Sequence, residues 1–383
     1  MSRLPRRKKL LFALVATGLF FALAEVAARV AEIWLPPQPV DYGLGFDEGS
    51  RVFVPLAGDA TTLATDIRKT VCFRFQKFPA HKPPRTLRIV ALGESSVNYL
   101  DGALAAMAGR LQARHAQRFD RVEIVNCGGE SYGSHRLAPV LKEVLDYQPD
   151  LVLIYLGHNE FEEVEQLQLA TGATAEVERS LSHSALIRFL RDRINAARAA
   201  HLRAEHNRAL WDRTRPDVGQ AWRYPFTPED LQTRMAAFRE NLGTMLRLCR
   251  ERGVPVVLGT VPSNLVAPHA NMRQRYLPVA KLLQEERYAE AAELGRQIIA
   301  EAPGRHQSSD QENDIIRDLV AEYGLPLADV ERAVIAAEPH GLPGETLFED
   351  HCHLNAAGRA VWIKTYEPLV EDWLGGDNPP GGR

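Results

Sequence analysis

Near the end of the chain, Asp350 and His353 stand three residues apart in the stretch Glu349–Ala357. A carboxylate at that spacing on one loop can orient an imidazole and steady its protonated form, which is what a general base requires. Histidine suits the task because its ordinary pKa lies near neutrality. A rival use of Asp350 with His351 and His353 is metal binding, and it is disfavoured because no other His/Asp cluster has ligand spacing. The base needs a nucleophile, and a serine hydroxyl is a poor one until a neighbour takes its proton. Ser95 follows Gly93 and Glu94 at the end of an apolar run, where a strand-to-helix turn would expose its hydroxyl. Taken alone it reads as readily as a helix cap, and it is not a G-x-S-x-G elbow because position 97 is Val. Asn159, in Gly157-His158-Asn159-Glu160, offers an amide that can donate to a developing oxyanion. A plain turn residue is its bland reading, and the adjacent His158, exposed by position, reads as a pocket-lining group. The glycine-rich stretch Asn126–Gly133 supplies backbone N–H groups for the same oxyanion, or simply a turn that needs positive φ.

Each of these segments follows a run that reads as a strand: Leu87–Leu92, Arg121–Asn126 and Leu151–Leu156. Further strands are expected at Val254–Val261 and, more weakly, Leu325–Val330. Helical spacing occupies 101–116, Leu137–Tyr147, 228–252, Asn313–Tyr323 and Ala357–Leu374. Thr227-Pro228-Glu229-Asp230 is a strong helix start, with a capping hydroxyl, a first-turn proline and acids at the positive end of the dipole. Strands alternating with helices predict an α/β fold with a parallel sheet covered on both faces. Ligands bind at the carboxyl ends of such strands, where the candidate residues fall. Residues 36–85 read as a linker and irregular lead-in, and 376–383 as a tail. The 161–225 stretch reads as a helical insertion, and a second, about 265–312, contains a hairpin at 277–302 that resembles one tetratricopeptide-type unit. One such unit cannot stack on neighbours, so it reads as an insert packed on the main domain.

Apolar residues make up 45% of the chain and charged residues 25%, ordinary for a globular protein. The net charge of −3 hides an asymmetry: residues 1–9 hold five basic groups and no acid, and the remainder carries 41 basic against 49 acidic. No basic stripe interleaves with aromatics, which excludes a nucleic-acid-binding pattern. The basic start leads into Leu10–Ala24, fifteen residues without charge or proline. That length fits a signal-peptide core, and Ala22-Leu23-Ala24 fits a cleavage site. It also fits the front of an uncleaved anchor in 1–35 that continues past Glu25 and Arg29, the favoured reading given the basic flank. Both place the remainder outside the cytoplasm. Cys72, Cys127, Cys249 and Cys352 form no C-x-x-C motif; a Cys127–Cys352 bridge is conceivable, and Cys249 reads as a small core residue.

In their order and spacing, Gly93-Glu94-Ser95-Ser96, Asn126–Ser134, Gly157-His158-Asn159-Glu160 and Asp350–His353 resemble the blocks of the SGNH hydrolases, also called GDSL esterases and lipases. The resemblance covers about residues 86–375, with the insertions interrupting it. It implies a flavodoxin-like three-layer α/β/α sandwich with about five parallel strands. It implies ester hydrolysis through an acyl-enzyme, with Ser95 as nucleophile, His353 as base and Asp350 orienting it. It implies an oxyanion hole from the Asn159 amide and a backbone N–H, with no metal or organic cofactor. Glu94 and Ser96 replace the family's Asp and Leu, and by spacing Ser131 takes the place of the oxyanion glycine, with Gly129 the nearest glycine. The expectation is an esterase held at the cell inner membrane by its N-terminal helix, its catalytic domain periplasmic, acting on an acyl ester of envelope carbohydrate or lipid. Alternatives are an O-acyltransferase with the same triad, and a degenerate domain that presents its helical insert to a protein partner.

Overall fold

The apolar runs form one sheet, and the amphipathic stretches between them form its covering helices. The computed structural model describes residues 5–37, 44–46, 50–56, 58–171, 173–201 and 225–376. In chain order the elements begin with α1 (Arg6–Ala31), β1 (Phe53–Leu56), β2 (Asp59–Thr65), β3 (Lys77–Pro79), β4 (Thr86–Glu94), α2 (Ser95–Asn98), α3 (Asp101–Arg114), β5 (Arg121–Gly129), α4 (Ser134–Leu145) and β6 (Leu151–Tyr155). They continue with α5 (Glu160–Thr171), α6 (Ala173–Leu181), α7 (Ala185–His201), α8 (Pro228–Glu251), β7 (Val256–Gly259), α9 (Leu277–Gln284), α10 (Tyr288–Ala300), α11 (Asp310–Tyr323), β8 (Leu327–Ala328), α12 (Val330–Ala337) and α13 (Ala356–Gly375). The chain divides into two compact units, Met1–Leu44 with Leu167–Ala221, and Gly45–Gln166 with Trp222–Arg383.

The larger unit is the expected α/β fold. Its sheet runs β5-β4-β6-β7-β8, with every pair parallel. Helices α4, α8 and α11 pack together on one face, and α3, α12 and α13 on the other. All residues of β4 and β6 are buried, as strands covered on both faces require. The chain steps from β4 to β5 on one side and then to β6 on the other. The carboxyl ends of these three strands therefore border the crevice where strand order reverses. Helix starts follow local chemistry. Thr227 and Asp230 form a capping box for α8, and Ser309 and Glu312 form one for α11, which ends at Gly324 in the left-handed region.

Three expectations change. The 36–85 segment carries a three-stranded antiparallel sheet, β1-β2-β3, rather than an irregular lead-in. Its strands are short and hold Pro55 and Pro79, so no sustained alternation marks them. Helix α12 is eight residues long, too brief to stand out by periodicity. All four cysteines are free; Cys127 lies in β5 within the core, and no bridge joins it to Cys352. Cys249 is buried on α8, as expected. Helices α9 and α10 form the expected hairpin and enclose a separate small core around Tyr276, Val279, Ala291 and Ile299. Of the 161–225 insertion, 202–224 lies outside the described residues, as does most of the 376–383 tail.

The short turn α2 lies flush on the sheet, and two glycines permit it. A side-chain carbon on Gly93 would come within 2.0 Å of the Tyr155 carbonyl oxygen, and one on Gly128 within 2.1 Å of the Asn98 backbone nitrogen. Asn126 and Asn98 then bind the turn. The Asn126 amide donates to the carbonyls of Val97 and Asn98, and the Asn98 amide donates to Gly128 and Cys72. Gly93→Ala is expected to lower stability by about 1–3 kcal/mol through overpacking, read as a shift of the urea midpoint; an unchanged midpoint would refute the close approach.

Candidate active site

Ser95 opens α2 directly after β4, and the D-x-x-H residues sit on the loop before α13. The fold brings them together: Ser95 Oγ lies 2.7 Å from His353 Nε2, and His353 Nδ1 lies 2.6 Å from Asp350 Oδ2. The other carboxylate oxygen accepts the backbone N–H groups of Cys352 and His353 at 2.9 and 2.7 Å. Partial burial opposes ionisation of Asp350. The His353 hydrogen bond and charge, with those two N–H groups, outweigh it and hold the carboxyl far below its usual range. The ring of Tyr99 lies against His353, with centroids 4.4 Å apart and the planes tilted by 33°. Ser96 is excluded from this chain of hydrogen bonds, since its Oγ is buried with no partner among the described residues. The three side chains form the arrangement that lets a hydroxyl lose its proton to an imidazole as it attacks.

The loops carrying the other predicted residues are fixed by buried carboxylates. Glu94, where the family pattern has Asp, accepts the N–H groups of His158 at 2.7 Å and Asn159 at 2.9 Å. It thereby ties the β6–α5 loop to the end of β4. Burial, then the charge of Glu160, pushes its carboxyl well above the ordinary range against these backbone donors. From the first turn of α5, Glu163 accepts the N–H groups of Gly133, His135 and Arg136, all within 2.9 Å. Glu160 accepts both the N–H and the hydroxyl of Ser134 at 2.8 Å, and Arg234 pairs with it at 3.1 Å. Burial still raises Glu160 to about 7 against the pull of Arg234. The open N–H groups at the start of α4 are thus satisfied from α5, and the glycine-rich loop is held beside the Asn159 loop.

The predicted oxyanion residues differ in availability. The Asn159 side chain is buried, and its amide donates to the Tyr132 carbonyl at 3.2 Å, leaving a second N–H on the same nitrogen. Gly129 closes the ladder opposite Glu94, with its α-carbon walled by Phe73 and Tyr132. Ser131 adopts φ +61°, accepts the Arg136 guanidinium on its carbonyl, and has no partner for its N–H among the described residues. His158 is fully buried rather than exposed. Its Nδ1 accepts the Ser308 N–H at 3.0 Å, which leaves the ring proton on Nε2. Burial, then the nearby charges of His353 and His351, holds its pKa well below the usual histidine range.

Sequence reading missed a histidine-rich wall beside this site. His269 stacks on His306 at 4.7 Å and meets the edge of His351 at the same distance. His306 lies 3.9 Å from Glu162 and 3.7 Å from Glu165. Burial, then the charge of Glu162, lifts Glu165 to about 8. These residues come from four separated segments, so no local spacing announces them. Asp350, His351 and Cys352 place their ligand atoms within 4.8 Å of one another. As a metal-binding set they are poor: both Asp350 oxygens are engaged by the His353 loop, and burial raises the Cys352 thiol far above its normal range.

The chain belongs to the GDSL-like lipase/acylhydrolase family, whose model matches residues 91–361. As a member it is a hydrolase of ester bonds. Similar solved structures include a GDSL-like lipase from Bacteroides thetaiotaomicron, at 12% identity and a TM-score of 0.39 over 75% of this chain and 89% of that one. A variant of an acetyl xylan esterase from Geobacillus stearothermophilus is 13% identical, with a TM-score of 0.39 over 74% and 94% of the two chains. No curated protein sequence matches the chain.

The wall predicts an acid-sensitive fold. Burial, then the charge of His269, lowers His306 from 6.5 to about 3. Its neutral form belongs to the folded state, so between those values the unfolded chain binds more protons, and stability falls as pH falls below about 6.5. At pH 5 this one group should cost about 2 kcal/mol. Urea unfolding at pH 7 and pH 5 should therefore show a smaller acid loss in His306→Gln than in the parent, and equal losses would contradict the assignment.

Proposed function

We propose that the protein is a serine esterase that cleaves an O-acyl ester through an acyl-enzyme, with Ser95 as nucleophile, His353 as general base and then acid, and Asp350 as the group that orients it. The continuous hydrogen-bond chain from Ser95 Oγ through both ring nitrogens of His353 to Asp350 carries this reading. As Ser95 attacks the ester carbonyl, its proton passes to His353 Nε2, and the ionised Asp350 stabilises the imidazolium. The carbonyl oxygen becomes an oxyanion; the free N–H of the Asn159 amide and the Ser131 N–H are its donors, in preference to Gly129, which lies in the sheet. His353 then protonates the departing alcohol. Water enters, loses a proton to the same nitrogen and attacks the acyl carbon; His353 returns that proton to Ser95 Oγ as the acyl–Ser95 bond breaks and the acid leaves.

The location follows from α1. This 26-residue helix is apolar and long enough to cross a bilayer, with the cluster Arg6, Arg7, Lys8 and Lys9 at its near end. Read as an anchor with the basic end cytoplasmic, it places the hydrolase at the inner membrane, facing the periplasm. Acyl esters of envelope carbohydrate or lipid are then the substrates within reach. Anchoring rather than cleavage is supported by the helix running unbroken through the Ala22-Leu23-Ala24 site to Ala31.

Ser95→Ala should reduce hydrolysis of p-nitrophenyl acetate by at least about 10³-fold and abolish fluorophosphonate labelling, while Ser96→Ala retains both. Asp350→Asn should lower kcat by about 10⁴-fold, and Asn159→Ala by about 10²- to 10³-fold. Labelling that survives in Ser95→Ala and disappears in Ser96→Ala would overturn the nucleophile.

A further inference from the structure

The smaller unit holds a second arrangement that the esterase reading does not use. Glu25 is the first charged residue after the apolar run Leu10–Ala24. Its carboxylate accepts the Ser184 hydroxyl at 2.7 Å and the N–H groups of Ala185 and Leu186 at 2.9 and 3.0 Å, capping the start of α7. Arg29 pairs with Glu25 at 2.8 Å and donates to the His183 carbonyl at 3.3 Å. One turn further along, Arg188 forks onto both oxygens of Glu32 at 2.8 Å. The small residues Ala28 and Ala185 are buried at this junction. The corner between α6 and α7 is therefore fixed to α1 at the level of Glu25.

That level has a physical meaning if α1 spans the bilayer, and the inference rests on that anchor reading. Fifteen apolar residues rise about 22 Å, short of a hydrocarbon core of about 30 Å. Glu25 then falls at the outer edge of the core, where a bare carboxylate is expensive. The donors of α7 and Arg29 satisfy it there, and the start of α7 must share its depth. The corner has the composition for such a place. Ile187, Leu190 and Ile194 recur at intervals of three and four residues, which puts them on one face of α7. They are exposed, with Leu190 and Ile194 each at 50%, and Leu181 at the end of α6 is 48% exposed. Arginines 179, 188, 191 and 193 accompany them, and Trp34, the aromatic type of membrane interfaces, stands exposed just past α1.

We propose that α6 and α7 form an amphipathic collar in the lipid headgroup layer around the outer end of α1, with Leu181, Ile187, Leu190 and Ile194 entering the acyl boundary. Lipid is the occupant because α7 is tied to the spanning helix at this depth through the Glu25 and Glu32 contacts, and because aliphatic residues backed by arginines are the makeup of interfacial helices. The collar satisfies Glu25 at the depth where the uncharged run of α1 ends.

The test uses the full chain in nanodiscs of phosphatidylethanolamine and phosphatidylglycerol, with p-benzoylphenylalanine in place of Leu190. Glu322, exposed on α11, serves as the comparison site. Irradiation should yield phospholipid adducts at position 190 several-fold above those at 322. Adducts no more frequent at 190, or crosslinks from 190 to a second copy of the chain, would overturn the collar while the N-terminal helix remains in the nanodisc. N-terminal sequencing that reads from Glu25 would instead overturn the anchor beneath it.

Discussion

Three buried carboxylates hold the catalytic loops in register. Glu94, Glu160 and Glu163 accept backbone or hydroxyl protons from His158, Asn159, Gly133, Ser134, His135 and Arg136. Loops at strand ends must bend sharply and leave N–H groups pointing inward, where no water can satisfy them. An unmet donor of this kind costs about 1–3 kcal/mol. Here each loop is satisfied by a side chain from the next segment of the site. The acids that stabilise the fold therefore also set the separation between the Ser95 turn, the Ser131 loop and the Asn159 loop. Glu94 shows the logic most clearly. A longer acid than the family's Asp reaches across from β4 to a loop that begins after β6, and its two short hydrogen bonds oppose the cost of its burial without cancelling it.

Much of this was legible in the chain. Asp350, His353, Ser95 and Asn159 have side chains whose chemistry is distinctive, and each follows or lies near a readable element boundary. The parallel sheet was legible because β4 and β6 are buried on both faces and so appear as unbroken apolar runs. Glu94 was visible only as a departure from a motif. Its function depends on which N–H groups lie opposite, and that is fixed by tertiary packing. His269 and His306 were invisible for the same reason: they lie on segments that are remote from Asp350 in sequence and approach it only in the fold. The β1-β2-β3 sheet failed to register because β1 and β3 are four- and three-residue strands with proline, and the seven-residue β2 (DATTLAT) has no sustained apolar–polar alternation.

Ser131 and Gly129 illustrate a finer limit. Spacing put Ser131 in the place of the oxyanion glycine and left Gly129 as the nearest glycine, and since the role belongs to a backbone group it did not choose between them. The decision turns on hydrogen-bond supply rather than on residue type. Gly129 is the last residue of a strand, whereas Ser131 is turned to φ +61° with its N–H unspent among the described residues. A side chain is no obstacle there, because the group that matters belongs to the main chain.

The Tyr99 ring over His353 has a kinetic meaning. The Tyr99 ring against one face and the Asp350 hydrogen bond at Nδ1 both oppose rotation of the imidazole, so in the proposed cycle its orientation is held between acylation and deacylation. One nitrogen must collect the proton from the nucleophile and surrender it to the leaving alcohol. On the proposed mechanism, the proton then shuttles at Nε2 of a base held in place, and turnover asks for little side-chain movement at that centre.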